Sequence, residues 1–318
     1  MRRFVMAVIA LCTIATPAFA VNFVTATPAQ GVSVLTTDDV YTRALTPADF
    51  SIRLHGAGGL PELKQLYGGV TLAWRDEETA RLNDMLARHR DQLAHISALL
   101  PETIYLVKNS DRLDGGLPHT RGAAIMFGPN LPASDADLDA LFLHELFHVL
   151  SRNQVARQDS LYALIGFQRC SHLDLPAEMR ARMVTNPDAP LVQHAAPGAN
   201  SGVLITPVLL AEPPRWEADK PNFTDYFSLH FVALRRTPDG GCASFVERGH
   251  VREVATADAA RLIVAGAGAN TGYFFHPEEI LADNFSQMMM GRRDAPNPEV
   301  YQRLAAGVGV ANHPAGAD

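Results

Sequence analysis

Residues 138–150 read LDALFLHELFHVL, and this short stretch carries the most information about the fold of the chain. Ser134 just before it is a residue type that begins helices, and Asp137 adds an acidic group to the first turn. Apolar residues then recur on nearly every side, which is typical of a buried helix. His144 and His148 lie four residues apart, so they share one face and can bind a single metal ion.

Burial of this polar face is expensive unless the polar groups find partners. Two imidazoles and the carboxylate of Glu145 lose their hydration inside an apolar helix, and a bound metal ion would compensate for that loss. The H-E-x-x-H pattern on a helix is typical of zinc hydrolases, so a zinc site is the first hypothesis. The alternative is a pair of hydrogen-bonded core histidines beside an unrelated glutamate.

A catalytic zinc ion normally takes three protein ligands, so a third ligand is required. Helices that continue with Gly and His at fixed positions have Ser151 and Gln154 as counterparts here, which excludes that layout, and no Gly-Thr-x-Asp segment follows. After residue 148, only Glu279 has an aspartate four residues later, Asp283. Glu279 is the predicted third ligand, and Asp283 is predicted to accept a hydrogen bond from a ligating histidine. Two solvated acids near a helix start are the alternative.

The helix motif together with the Glu-x-x-x-Asp segment resembles the thermolysin-like zinc peptidases called gluzincins. The resemblance covers two short helices, and the interval between them is long beside that of the compact members. It implies that His144, His148 and Glu279 bind Zn²⁺, that Glu145 is the general base and that Asp283 supports a ligand. It also implies a zincin-like catalytic core, with the active-site helix beside a small mixed sheet.

The chemistry implied by the resemblance needs one more group. Bound zinc lowers the pKa of its water and polarises the scissile carbonyl, while Glu145 takes the proton of the water and passes it to the leaving amine. The oxyanion requires a further donor, which family members often take from a Tyr or His near the third ligand. Tyr273 is the predicted donor. His276, His230 and His250 are the other candidates, and for them a structural role is favoured.

The elements that surround the motif predict an α+β fold. A helix is expected from Glu77 to Leu100, and strands are expected at 103–107 and 123–127 before the metal helix. The second strand is either an edge on which an extended peptide could pair or a core strand. Residues 61–174 therefore form the predicted catalytic core.

The remaining chain divides into four further parts. Residues 21–60 lack periodicity and predict an irregular lead-in. Residues 175–255 are rich in proline and predict a β-rich insertion, with strands at 203–205 and 226–234. Residues 256–318 predict a helical C-terminal part that carries the third ligand. Residues 1–20 have two arginines, an apolar run and a small-residue site, which predict a signal peptide cleaved after Ala20.

An exported protein with no membrane anchor after signal cleavage, secreted or periplasmic, is therefore expected, since the apolar run of the signal is too short to span a bilayer. In that compartment Cys170 and Cys242 either form one disulfide bond or remain two buried thiols. The net charge of -7 and the absence of a basic run argue against a nucleic-acid partner. The sequence leaves the oligomeric state open.

Three functions remain after the sequence has been considered. The first is a zinc metallopeptidase that acts on a peptide or protein substrate. The second is a zinc amidohydrolase that acts on a non-peptide amide, because the motif specifies activated water and not the acyl donor. The third is a secreted binding or envelope protein in which the metal site is silent or structural.

Overall fold

The computed structural model describes residues 21–309, so the predicted signal peptide and its cleavage site lie outside the described residues. The elements of the first half are β1 (Asn22–Thr25), α1 (Pro28–Thr36), α2 (Val40–Ala44), α3 (Pro47–Leu54), α4 (Leu60–Val70), β2 (Thr71–Leu72), α5 (Asp76–Arg88), α6 (Arg90–Ile96), β3 (Thr103–Asn109), β4 (His119–Arg121) and β5 (Ala124–Phe127). Helices and strands are mixed, so the α+β prediction is confirmed. No helix within residues 21–309 is long and apolar enough to cross a membrane.

The second half begins with the helix that carries the histidine motif. Its elements are α7 (Asp135–Asn153), α8 (Val155–Ala163), β6 (Gln168–Arg169), β7 (Leu173–Asp174), α9 (Ala177–Arg182), β8 (His194–Pro197), β9 (Val203–Ala211), β10 (Phe227–Arg236), β11 (Cys242–Ser244), β12 (Val246–Glu247), β13 (His250–Val251), α10 (Thr256–Ala267), α11 (Pro277–Met289) and α12 (Pro298–Val308). The strands predicted at 103–107, 123–127, 203–205 and 226–234 are all present, with bounds shifted by a few residues.

The first sheet is mixed and has the order β1-β3-β5-β4, with β2 paired to β3. Side chains alternate between its two faces, as strand geometry requires. Leu106 and Ile125 pack in the same cluster as α7, whereas Val107 and Met126 pack in the cluster of α1 and α4. Helices therefore cover both faces of this sheet. Because β5 lies between β3 and β4, the strand at 123–127 is a core strand, and β4 is the outer strand beside it.

The prediction of an irregular lead-in over residues 21–60 is wrong. Strand β1 pairs in parallel with β3, and three short helices follow it. Thr27, Asp39 and Thr46 each begin one of these helices by accepting a hydrogen bond from the backbone three residues later. Helices of 5 to 9 residues are too short to show a periodic apolar stripe, which is why the sequence pattern missed them.

The prediction of a single helix from Glu77 to Leu100 is also wrong, because the structure has two helices there, α5 and α6. The break falls at His89, where φ is -99° and ψ is 7°. His89 is buried, and its ring nitrogens lie 2.7 Å from Gln92 Oε1 and 3.3 Å from Asp139 Oδ2. These side-chain contacts fix the break, which apolar spacing alone does not reveal.

A second sheet has the order β6-β8-β9-β10-β11-β7. It begins before residue 175, where the insertion was predicted to start, because β6 and β7 belong to it. The sequence pattern missed these two strands, since two residues are too few to show an alternation of side chains. Cys170 and Cys242 form a disulfide bond with their Cα atoms 5.5 Å apart, and both are buried. The bond closes a loop that contains β7 to β10.

Candidate metal centre

Helix α7 positions the two histidines because its start and its packing are fixed by the sequence. Ser134 Oγ accepts a hydrogen bond from Asp137 N at 3.1 Å, so the helix begins at the predicted residue. One side packs against the first sheet, and α11 packs on another. Phe147 of α7 and Phe285 of α11 have ring centroids 5.5 Å apart. This packing brings the start of α11 to the face of α7 that carries the motif.

Three predicted ligand residues meet where the two helices touch. His144 Nε2 lies 3.2 Å from Glu279 Oε2, and His148 Nε2 lies 3.6 Å from the same oxygen. One ligand atom from each residue lies within 4.8 Å of the others. The structure therefore brings together residues separated by up to 135 positions in a group that can hold a metal ion.

The chemistry of the group fits a divalent metal ion. His148 Nε2 and Glu145 Oε2 are buried and have no hydrogen-bond partner within residues 21–309. A buried polar atom without a partner costs about 1 to 3 kcal/mol, so such atoms are rare unless an ion or water satisfies them. A cation between two imidazoles and a carboxylate would satisfy the histidine and offset the gathered negative charge.

The electrostatics of the site point the same way. Burial opposes the charge of His148, yet the carboxylates of Asp188 and Glu279 raise the pKa of this imidazole well above its usual value. Burial likewise opposes the charge of Glu279, but His148 and His144 lower the pKa of this carboxyl well below its usual value. The carboxylates around His148 thus favour positive charge at this position, which a bound metal ion would supply. Burial raises the pKa of Glu145 well above its usual value, as do the neighbouring carboxylates of Asp188 and Glu279.

Glu278 is a residue of the site that the sequence analysis missed. Its carboxylate accepts hydrogen bonds from His148 Nδ1 at 3.0 Å, Ser151 Oγ at 2.8 Å and the Tyr162 hydroxyl at 2.6 Å. Only 1% of Glu278 is exposed. The sequence shows two neighbouring glutamates at a helix start, a pattern that is common on solvated helices, so it gave no sign that both are buried.

Asp283 is placed differently from its prediction. In place of a histidine, Gln287 Nε2 donates to Asp283 Oδ2 at 3.1 Å. Asp283 is partly buried and lines the same cavity as the histidine motif. Asp283 was predicted to accept a hydrogen bond from a ligating histidine. For His148, the acceptor is Glu278 instead.

Tyr273, the predicted oxyanion donor, is exposed beside the motif, unlike the buried candidate His276. It is 45% exposed, and its ring centroid lies 6.0 Å from that of His144. His276 is buried and uses Nδ1 to accept from the Glu278 backbone at the start of α11. His230 lies on β10 and contacts Glu253 Oε2 at 2.9 Å. The residues that line the cavity include Tyr273 and His276. His230 lies on β10 of the second sheet, and His250 lies on β13, which pairs with β12 in a separate two-stranded sheet.

A cavity of about 1000 Å³ opens beside the motif, between the core and the second sheet. His144, Glu145 and Glu279 are among its polar lining residues. Most of the other lining residues are apolar. They come from both the core and the second sheet and include Leu117, Leu141, Leu175, Leu209, Phe227 and Phe275. The motif therefore faces a space large enough for several side chains of a bound molecule.

Residues 185–189, here called the crossing segment, run between this cavity and strand β4. Thr120 of β4 donates to Asp188 Oδ1 from its backbone N at 2.6 Å and from Oγ1 at 2.8 Å. Arg152 holds the carbonyls of Pro187 and Asp188 at 3.1 and 3.3 Å, and Asn186 Nδ2 donates to Glu279 Oε1 at 2.6 Å. Asp188 also belongs to a second group of side chains, with Glu145 and His148, that is close enough to hold a metal ion. The sequence analysis did not select this aspartate, since it lies in a proline-rich segment without a motif.

No family model matches the chain, and comparisons with curated proteins and with solved structures also give no match. The resemblance to gluzincins therefore rests on the two sequence motifs.

Proposed function

We propose that this chain is an exported zinc-dependent metallopeptidase that hydrolyses peptide bonds. The observation that carries the proposal is the meeting of His144, His148 and Glu279 beside the buried carboxylate of Glu145. Two imidazole nitrogens and one carboxylate oxygen are the ligand set of several zinc hydrolases, which keep a fourth position for water. Export is proposed from the sequence of residues 1–20.

Each residue has a defined part in this proposal. Zinc, when bound, lowers the pKa of water and polarises a carbonyl. Glu145 takes a proton from water and passes it to the leaving amine. Its position supports this part, because Glu145 is buried beside His144, lines the cavity and has an oxygen without a hydrogen-bond partner in the described part of the chain. Tyr273 is the proposed donor to the oxyanion, and its exposure in the cavity supports that part.

The cavity supports a peptide or protein substrate. It is open and has an apolar wall, so it can take the side chains of an extended chain. A non-peptide amide is the variant of this proposal that a substrate screen separates, by comparing unrelated peptides with small amides.

A metal-binding protein without catalysis is the second candidate, and the crossing segment favours it. Asn186 bonds to Glu279, and Asp188 occupies the outer edge of β4. A peptide laid along the outer edge of β4 would have to displace the contact of Asp188 with Thr120, which suits a site that holds a metal without turning over.

The variant Glu145→Gln tests the proposal against this second candidate. We expect it to keep about one zinc ion per chain and to lose peptidase activity by about 10²- to 10⁴-fold, the usual contribution of a general base. Metal content is measured by mass spectrometry, and activity on a mixture of fluorogenic peptides. Glu78→Gln is the matched control, since Glu78 is a buried carboxylate that does not line the cavity. Full activity in Glu145→Gln would refute the proposed mechanism.

A further inference from the structure

We infer that Glu278, and not Asp283, is the positioning residue that orients His148 for the metal. This inference rests on the proposed function, because it concerns the same site. It starts from the two ring nitrogens of His148, which have different surroundings. Nδ1 lies 3.0 Å from Glu278 Oε1, whereas Nε2 faces Glu279 and His144 without a hydrogen-bond partner in the described part of the chain.

A carboxylate accepts hydrogen bonds and cannot donate them, so the nitrogen that faces Glu278 carries the proton. Nδ1–H then leaves the lone pair of Nε2 directed at the metal position. Metal-binding histidines are commonly held in this way by an acceptor behind the ring, which fixes the tautomer and raises the basicity of the ligand nitrogen. Glu278 is therefore in the place that orients the ligand.

The carboxylate of Glu278 is itself held from two helices. Ser151 of α7 and Tyr162 of α8 both donate to Oε2, at 2.8 and 2.6 Å, which leaves Oε1 for His148. Tyr162 in turn packs against aromatic rings, and its ring centroid lies 4.5 Å from that of His194. Because water is excluded, the charged hydrogen bond to His148 is stronger than it would be on the surface.

Adjacent residues at the start of α11 thus have different tasks. Glu279 faces the space between the two histidines, and Glu278 faces the back of His148. Asp283, one turn further on, bonds to Gln287 of its own helix. A purely structural role for Glu278 would stabilise the start of α11 through its charge, without any effect on metal affinity. Metal affinity therefore separates the two roles.

The test measures the zinc affinity of the metal-stripped full chain by competition with a coloured chelator. We expect Glu278→Ala to weaken binding by about 10- to 100-fold, the usual effect of losing a residue that orients a ligand. Glu278→Gln should recover part of this loss, because its amide oxygen can still accept from Nδ1–H. Asp283→Ala should weaken binding less than either Glu278 variant. Glu78→Gln removes a buried carboxylate that bonds to Lys108, and should lower stability with unchanged affinity.

Equal zinc affinity in wild type and Glu278→Ala would overturn the inference, as would a larger loss in Asp283→Ala. Should Glu278→Ala fail to fold, Tyr162→Phe keeps the carboxylate but removes one of its supports, and a loss of zinc affinity by several-fold is expected. In zinc-loaded wild-type protein, nitrogen NMR should show a proton on Nδ1 of His148, and a proton-free Nδ1 would overturn the inference. A wild-type chain that binds no zinc would overturn both the inference and the proposed function, whereas zinc binding that is insensitive to residue 278 overturns only the inference.

Discussion

Addition of zinc to the metal-free protein should raise its thermal unfolding temperature. The three predicted ligands come from α7 and α11, and both helices contribute side chains to the largest apolar cluster of the structure. Unfolding therefore separates His144 and His148 from Glu279. An ion that binds all three stabilises the folded state and has little affinity for the unfolded one.

The size of this effect follows from binding linkage. At a free zinc concentration 100 times the Kd, the folded state gains about 2.7 kcal/mol. In a folded chain of this size, 1 kcal/mol moves the unfolding temperature by about 2 to 4 °C. The expected rise is thus about 5 to 10 °C, and each further tenfold increase in zinc adds about 1.4 kcal/mol.

Calorimetry of four proteins, with and without zinc, checks this reasoning. Wild type and Glu145→Gln should show the full rise, because Glu145 is not a predicted ligand. His144→Ala should show little of it. His89→Ala is the control for loss of a buried histidine, since His89 contacts Asp139 and Gln92 outside the site. A rise in His144→Ala as large as that in wild type would refute the assignment of the ligands.

Three further predictions concern the frame around the site. Replacement of both Cys170 and Cys242 by Ala should lower the free energy of unfolding by about 4 kcal/mol, as calculated for a closed loop of 72 residues, and a change below about 1 kcal/mol in urea unfolding would contradict this. The variant Asp188→Ala should raise hydrogen exchange of the Thr120 amide by about tenfold, because that amide loses its charged acceptor; unchanged protection would show that the contact contributes nothing. Despite burial, hydrogen bonds from Lys108 and Arg75 lower the pKa of Glu78 to about 2. The ionised carboxylate therefore stabilises the folded state fully above the unfolded pKa of 4.5, and this stabilisation is lost as the pH falls toward 2. The stability difference between wild type and Glu78→Gln should therefore shrink over that range, and a constant difference in urea unfolding would disprove the assigned cause.

The arrangement of the candidate ligands could be predicted from the sequence because it depends on helix periodicity. His144 and His148 share a face in any α-helix, and the Glu-x-x-x-Asp spacing singled out Glu279. The role of Glu278 could not be predicted in the same way. Helix α11 buries polar as well as apolar residues, so its sequence pattern does not show which acid faces which partner. Asp283 was chosen by its spacing, whereas the hydrogen bonds of His148 depend on how α7, α8 and α11 pack.

Tertiary contacts explain the other differences. The helices of residues 21–60 are stabilised by caps such as Thr27 and Thr46 and by packing on the sheet, and neither produces a periodic pattern in short segments. The crossing segment is held by Arg152, whose carbonyl partners are 35 and 36 residues away in the chain. Backbone hydrogen bonds to a distant side chain leave no signature in the local sequence. The strand at 123–127 is a core strand and not an edge because β4 pairs with it on the side away from β3.

The disulfide bond between Cys170 and Cys242 determines how the protein should be prepared. The closed loop contains β8 and β9, part of the cavity wall and the whole crossing segment, so a reductant that breaks the bond removes a covalent restraint on the part of the chain beside the candidate metal centre. Thiol reductants also compete for zinc, because thiolates are strong ligands for that ion. A purification in such a buffer would break the disulfide bond and compete for any bound metal ion at the same time, and the two effects could not be assigned separately. Production in an oxidising compartment, without thiols or chelators, keeps both intact.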